Sequence, residues 1–453
     1  MNRVLIIAII FFCSLQLNAQ VEMSVFNSTG RGGVTTTFAT DYQCLGINPA
    51  NLGSIGFKMK AYKLAKFGDD EGGEHAVEKK FSFSMGLLEF GFSAYSDALK
   101  KKDLKETLFK AGTDSKLTKA EKFDAAIQFA DAGFAVNFDM NWFGMAMQFN
   151  KVGGFAVNIR EHIMGNIALN PLAADIMFNG YNSTYFDTVQ IIQGDTTGVR
   201  FQPMLISEAF DGSSMQMLWY REYAFGYGRN IIKNDDLEIN LGSAIKYLQG
   251  YGIVDVNVDK EEGKTRLFGA MSPIFGVNYG ALIDNPGTGF KSIGKGLGYD
   301  FGVSALIKKK FKFGVAINDI GSMKWHTNVL TANNDTMNYI SSTGFDSYNI
   351  FIEGEKLVGN ESIFDWTYLP GGVTIKLPTT LRVGAGCYIT DKLEVGLELV
   401  APLNNYPGSY AKPILALGGD YNIFPWLRIS TGIVNGGNYD FNLPLGITFQ
   451  FGG

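Results

Sequence analysis

The chain has 453 residues, of which 46% are hydrophobic, 13% aromatic and only 18% charged, with 55 Gly and 36 Phe. Its net charge of -5 offers no basic face to a nucleic acid, its few histidines and cysteines are too scattered for a zinc site, and no internal run of eighteen apolar residues crosses a bilayer as a helix. Low charge with high glycine and aromatic content suits a barrel, which can hold such a length in one domain.

Residues 1–19 read as a secretory signal peptide. Arg3 gives the positive start, an apolar run follows from Val4, and Ala19 is the small residue before cleavage. Cys13 lacks a lipobox. Cys44 and Cys387 then remain; an oxidising compartment would allow them to pair, and the sequence leaves open whether they meet. Residues 20–53 are rich in Gly and Thr, have no clean period, and end in Asn48-Pro49-Ala50. Such a composition cannot build a core of its own.

From residue 54 onward the pattern has a period of two, the mark of strands with one apolar and one polar face. Ile55–Lys66 and Phe81–Tyr95 are the first two expected strands. Between Ser96 and Ala130 the period changes to that of short amphipathic helices. Leu104, Leu108 and Ala111 mark one. Ala120, Phe123, Ile127 and Ala130 mark another, opened by a capping box of Thr118 and Glu121. Strands resume at Ala132–Phe149, Gly153–His162, Met215–Ile231, Leu237–Leu248, Thr265–Ile283, Gly298–Ile307 and Phe311–Ile317. Asn166–Met204 reads as irregular, broken at Asn170-Pro171, and the chain carries long loops at 163–214 and 327–372.

The closing stretch is the most regular. Leu381, Val383, Ala385 and Cys387 alternate with Arg382, Gly384 and Gly386. Leu393, Val395, Leu397 and Leu399 alternate with Glu394, Gly396 and Glu398. Leu427, Ile429 and Ile433 oppose Arg428, Ser430 and Gly432, and Leu443–Phe451 ends the series. Most runs have the nine to eleven residues a transmembrane strand needs. The polar positions Lys246, Asp300, Arg382, Glu394, Glu398 and Arg428 are the candidates to line a lumen. Small inward positions such as Gly396 and Ser430 are expected to tolerate modest polar changes. A soluble sandwich would show the same alternation strand by strand; the exported address, together with the family resemblance given below, decides for the membrane. The expected fold is all-β: an antiparallel transmembrane β-barrel over 54–453 with about 14 (14–16) strands, an even number as in bacterial barrels, and short helices in its loop excursions.

Here a resemblance joins the reading. The run Gly30–Gly53, with Asn48-Pro49-Ala50 before the first strand, resembles the N-terminal segment of FadL-type outer-membrane barrels and of their PorV-like relatives in Bacteroidota-type bacteria. The stretches Leu377–Asn404 and Leu443–Phe451 resemble the closing strands of that group, and Asn318–Trp325 is similar to one of its middle blocks. The likeness covers about half the chain. It implies residence in the outer membrane and passive transport of a small hydrophobic or amphipathic molecule, or, alternatively, service as a membrane-anchored partner of secretion or surface-assembly proteins. It also implies that residues 20–53 enter the barrel as a hatch; the residues alone fit a periplasmic lead-in equally well. As a hatch, the segment would need a lumen carboxylate for Arg31, with Glu394 or Glu398 as candidates.

No catalytic, cofactor or metal set is expected, and the chain does not read as an enzyme. Gly289–Gly296 has phosphate-loop spacing, but Gly296 stands where a Ser or Thr must bind magnesium. Ser243 and Lys246 would face opposite ways on a strand. The expected partners are the lipid bilayer and a small hydrophobic ligand, with no nucleic acid.

Overall fold

A computed structural model describes residues 26–54, 81–96, 116–130, 133–261, 263–347, 353, 363–424, 426–437 and 439–449. The expected signal peptide, the expected strand Ile55–Lys66 and the expected helix marked by Leu104–Ala111 lie outside the described residues.

Among the described residues, twelve strands that pair in succession build the wall: β1 (Phe81–Ser96), β2 (Gly133–Phe149), β3 (Gly153–Ala168), β4 (Ser214–Lys233), β5 (Leu237–Asn257), β6 (Gly294–Ile307), β7 (Phe311–Trp325), β8 (Thr380–Tyr388), β9 (Leu393–Pro402), β10 (Ile414–Phe424), β11 (Leu427–Gly436) and β12 (Leu445–Phe449). Each pairs with the next along the chain, always antiparallel. The chain is an antiparallel transmembrane β-barrel. Short turns at 150–152, 234–236, 308–310 and 389–392 gather at one end. The described parts of the longer connections, 116–130, 169–213, 263–293, 326–347, 363–379 and 403–413, gather at the other.

The period-two pattern sets the faces. Phe301, Val303, Phe313, Val315, Leu397, Leu417 and Ile447 are exposed on the outer wall, while Asp300, Lys312, Glu398 and Ser430 are buried on the inner one. In water this outer band would be a continuous apolar surface of a size monomers avoid; lipid removes the cost. Bulges interrupt the ladder between Asn141 and Phe143, Trp219 and Tyr220, Asn230 and Ile232, and Ile317 and Ile320.

The two long loops differ from the sequence expectation, because both are folded. The pair Asn170-Pro171 starts a helix rather than breaking the chain. Asn170 caps α2 (Pro171–Asn179) by accepting from Ala173 N, and proline at the first helical position gives up no bond. Before it, α1 (Lys119–Phe129) carries the expected capping box. Strand pairing of Thr188–Ile192 with Asp195–Val199, and of the latter with Tyr339–Ile340, stitches the first loop to the second. Phe129, Ile176, Phe178, Phe210, Leu330, Phe364 and Trp366 share one buried apolar cluster. Together these pieces form a cap at the long-loop end. The expected strand Thr265–Ile283 is shorter, Arg266–Met271; Pro273 then opens a turn.

Candidate functional site

The interior of the barrel is filled in three levels, taken here from the short-turn end upward. The first is the N-terminal segment, residues 28–54, most of which is buried. Two kinds of wall residue receive it. Carboxylates and amides satisfy its backbone and polar side chains, as burial without water demands. Glu398 accepts from the backbone N and the hydroxyl of both Thr35 and Thr36 and pairs with Arg382 at 3.3 Å. Arg160 donates to Leu45 O at 2.9 Å, Gln148 donates to Leu52 O, and Tyr42 OH donates to Glu89 at 2.9 Å.

Glycines supply the second kind of contact. A Cβ on Gly86 would strike the Tyr42 hydroxyl at 2.1 Å, one on Gly144 the Tyr42 ring at 2.2 Å, and one on Gly242 the Pro49 and Ala50 backbone at 2.4 Å. Gly302 meets Asn48, Gly314 and Gly384 meet Thr36, and Gly418 meets the Arg31 carbonyl. These glycines form a collar of inward positions where the wall has no side chain and a second backbone lies against it. Gly396 belongs to the same collar: its Cβ would meet the Phe38 ring at 2.6 Å. It is therefore not the tolerant position expected from sequence.

The motif Asn48-Pro49-Ala50 is fully buried against this collar. Asn48 is extended, and its side chain accepts from Ala50 N at 3.2 Å to cap the turn Pro49–Gly53. The same side chain donates to Val303 O on β6 at 3.1 Å. Arg31 finds neither Glu394 nor Glu398. Its Nη1 lies 2.8 Å from Asp420, because its backbone rests on Gly418, two residues before that carboxylate on the same strand, and on Gly432, the register partner of Gly418. Glu398 is taken by the threonines, and Glu394 by Lys312. Arg428 shares Asp420 at 3.4 Å. Cys44 and Cys387 are both free thiols.

The second level is ionic. Lys246 reaches Asp319 at 2.7 Å, Asp300 at 3.0 Å and Glu222 at 3.4 Å. His162 contacts Asp139 at 3.1 Å and stacks on Tyr220 with ring centres 4.8 Å apart. Of the six residues expected to line the lumen, Lys246 and Asp300 meet each other here. Arg382, Glu394, Glu398 and Arg428 lie instead against the N-terminal segment or its neighbours. Sequence reasoning missed Lys312, Asp420, Glu222 and Asp319. For Lys312 a signal was available: it sits between Phe311 and Phe313, a charge on the polar beat of an apolar strand.

The third level is apolar. Leu218, Tyr220, Leu248, Ile253, Phe268, Met323, Trp325 and Leu377 form one buried cluster between the ionic level and the cap, with Met164 and Tyr406 partly buried at its edge. The Trp325 ring packs against Gly250 and Gly294, where a Cβ would meet it at 2.5 and 2.8 Å.

A family model described as "Family of unknown function (DUF5723)" matches residues 75–453. No curated protein matches the chain by sequence. Among solved structures, the chain is similar to the Pseudomonas putida toluene transporter TodX, with 11% identity over 96% of this chain and 90% of that one and a TM-score of 0.38. It is also similar to the Ralstonia pickettii toluene transporter TbuX (10% identity, 96% and 99% coverage, TM-score 0.34) and to a Pseudomonas aeruginosa FadL homologue (12% identity, 91% and 80% coverage, TM-score 0.34). Likenesses of this size carry nothing about ligand or mechanism.

Proposed function

The chain belongs to the DUF5723 family, and from that premise, which brings no activity with it, we propose an outer-membrane barrel for passive transport of a small hydrophobic or amphipathic molecule, with residues 28–54 as its hatch. The observation that carries this reading is the apolar level around Trp325. Barrel lumens are usually polar, and this one turns Leu218, Leu248, Phe268, Met323 and Leu377 inward above a bed of ions. Such a cluster offers a small apolar ligand the aliphatic and aromatic side chains it prefers, and the ionic level beneath gives a polar head somewhere to end.

The hatch reading is supported by the collar of glycines and by the polar contacts of Thr35, Thr36 and Arg31 with the wall. The alternative, a membrane-anchored partner in secretion or surface assembly, has no such feature to favour it. Two measurements test the proposal. In a variant whose other tryptophans are changed to Phe, Trp325 fluorescence should respond saturably to small alkylbenzenes and not to sugars; no response at solubility-limited concentrations sinks the ligand class. In planar bilayers, deleting residues 21–46 should open an ion-conducting pore. If conductance and protease resistance stay those of the intact chain, the segment is a periplasmic lead-in and not a hatch.

A further inference from the structure

On the membrane-facing side of the wall, one row of residues runs directly across five strands. Glu161 on β3 is the register partner of Arg221 on β4, Arg221 of Gln249 on β5, Gln249 of Lys295 on β6, and Lys295 of Lys324 on β7. Lys324 then faces Thr374, and Ser322 faces Lys376, on the short strand Val373–Lys376. Alternation puts these side chains on the outer face: Lys246, Asp300 and Met323 beside them point inward and are buried, while Lys295, Lys324 and Lys376 are exposed.

The two ends of this row are built differently. At the first end the charges cancel. Glu161 is buried and accepts from Trp142 Nε1, Trp219 Nε1 and Arg221 Nε, and the Arg221 guanidinium lies over Trp142, Tyr251 and Phe290 at 5.5–5.9 Å from the ring centres. At the other end, Lys295 and Lys324 stand directly opposite each other. Like charges in that position repel, and no carboxylate among the described residues pairs with either of them or with Lys376. Their field reaches His326 just past the end of β7, where burial and the two ammoniums hold the imidazole below its ordinary value.

Height identifies what supplies the missing anion. Below Lys295 the outward residues of β6 are Leu297, Tyr299, Phe301, Val303, Ala305 and Ile307, and then the turn Lys308–Lys310. At about 3.4 Å per residue and a tilt of about 40°, that run rises about 26 Å, the height of the apolar band of an outer-membrane barrel. The lysines therefore stand at the upper edge of the band, on the long-loop side, beside a belt of aromatic rings. Lipid phosphates lie at this depth.

We propose that Lys295, Lys324 and Lys376, flanked by the Trp142–Trp219–Tyr251–Phe290 aromatic box, form a seat for a phosphate-bearing lipid of the leaflet at the long-loop end. The lipid's phosphate is the counter-ion the paired lysines lack, and its chains run down the groove of Phe143, Val157, Ile159, Phe225, Ile245 and Leu297 on the same face. This seat does not depend on what passes through the barrel.

The test uses the full mature chain in nanodiscs of mixed phosphatidylglycerol and phosphatidylcholine, beside the triple variant Lys295→Gln/Lys324→Gln/Lys376→Gln. Because the three side chains are exposed, the variant should fold, and heat-dependent electrophoretic mobility checks that it does. Brominated phosphatidylglycerol should quench Trp142 and Trp219 in the wild type at concentrations about tenfold below brominated phosphatidylcholine. The triple variant should lose that preference, and high salt should weaken it in the wild type. Native mass spectrometry should find phosphatidylglycerol retained by the wild type and not by the variant. Equal quenching by the two lipids in the wild type, or equal retention by both proteins, overturns the seat. Retention of a soluble protein in place of lipid overturns it as well.

Discussion

The barrel is filled from both ends, and the two fillings hold together by different physics. The N-terminal segment builds its small apolar clusters only together with the wall. Its buried residues Tyr42, Leu45, Ile47 and Leu52 share their cluster with wall alanines, namely Ala146, Ala156, Ala224 and Ala244. Its polar groups are answered by the wall, and its backbone lies on wall glycines. The cap is the reverse. Phe129 and Phe178 from α1 and α2 pack with ring centres 5.0 Å apart, Phe345 closes on Phe178 at 5.6 Å, and they sit among residues from four different loops. A filling without its own core needs a wall shaped for it at each step; a filling with one needs only anchorage.

The sharpest way to break this contrast is at the collar. Gly242→Val would place carbon 2.4 Å from the backbone of Pro49 and Ala50, where no side chain can swing aside. The expected result is that no compact barrel with a protected N-terminal segment is recovered, read from heat-dependent mobility and from proteolysis of residues 28–54. A folded variant with the segment still protected would mean that the collar is slack. Next in size is Asp420→Ala. It leaves Arg31 buried without its ion pair and removes the acceptor of Ser430 Oγ, at a cost of about 3–5 kcal/mol. The urea midpoint should fall accordingly. Adding Arg31→Met should recover part of the loss, and no recovery would assign the cost to Arg428 and Ser430 instead.

The contrast also explains what sequence could and could not tell. The wall was legible because lipid outside and polar groups inside impose a strict period of two; Arg382, Glu394 and Glu398 fall on its polar beat and are buried as that beat requires. The cap helix α1 was legible because its capping box is local. Which carboxylate meets Arg31 was not, since it depends on the height at which the segment rests, and that is fixed by Gly418 and Gly432 far along the chain. The cap's small sheet was hidden for a similar reason: its strands Asp195–Val199 and Tyr339–Ile340 come from loops well over a hundred residues apart. The row Lys295–Lys324 needed the register between two strands, which no single strand carries.

If the cap is a unit with its own core, damage there should stay there. Phe178→Ala removes a ring buried against Phe129 and Phe345 and should cost about 3 kcal/mol. Hydrogen exchange should show α1 and α2 losing protection while residues 28–54 keep theirs. If the segment loosens as well, the two fillings are coupled through the ionic and apolar levels between them, and the comparison fails.

The smallest effect is the most local. Thr118 Oγ1 accepts from Glu121 N at 3.3 Å, and the Glu121 carboxylate accepts from Thr118 N at 2.7 Å, so two backbone donors at the start of α1 are satisfied together. Thr118→Ala should cost about 1 kcal/mol of cap stability. The contribution of Glu121 has a pH sign. Hydrogen bonds from the Thr118 backbone and hydroxyl hold its carboxyl below the ordinary carboxylate value in the folded chain. Its stabilisation is therefore present above the unfolded value and is lost as pH falls through the folded one. Exchange protection of α1 should weaken over that acid range in the wild type, and Glu121→Gln should start weaker and vary less with pH. If the variant keeps the full pH response, Glu121 does not govern the helix start, and the capping box is geometry without energetic weight.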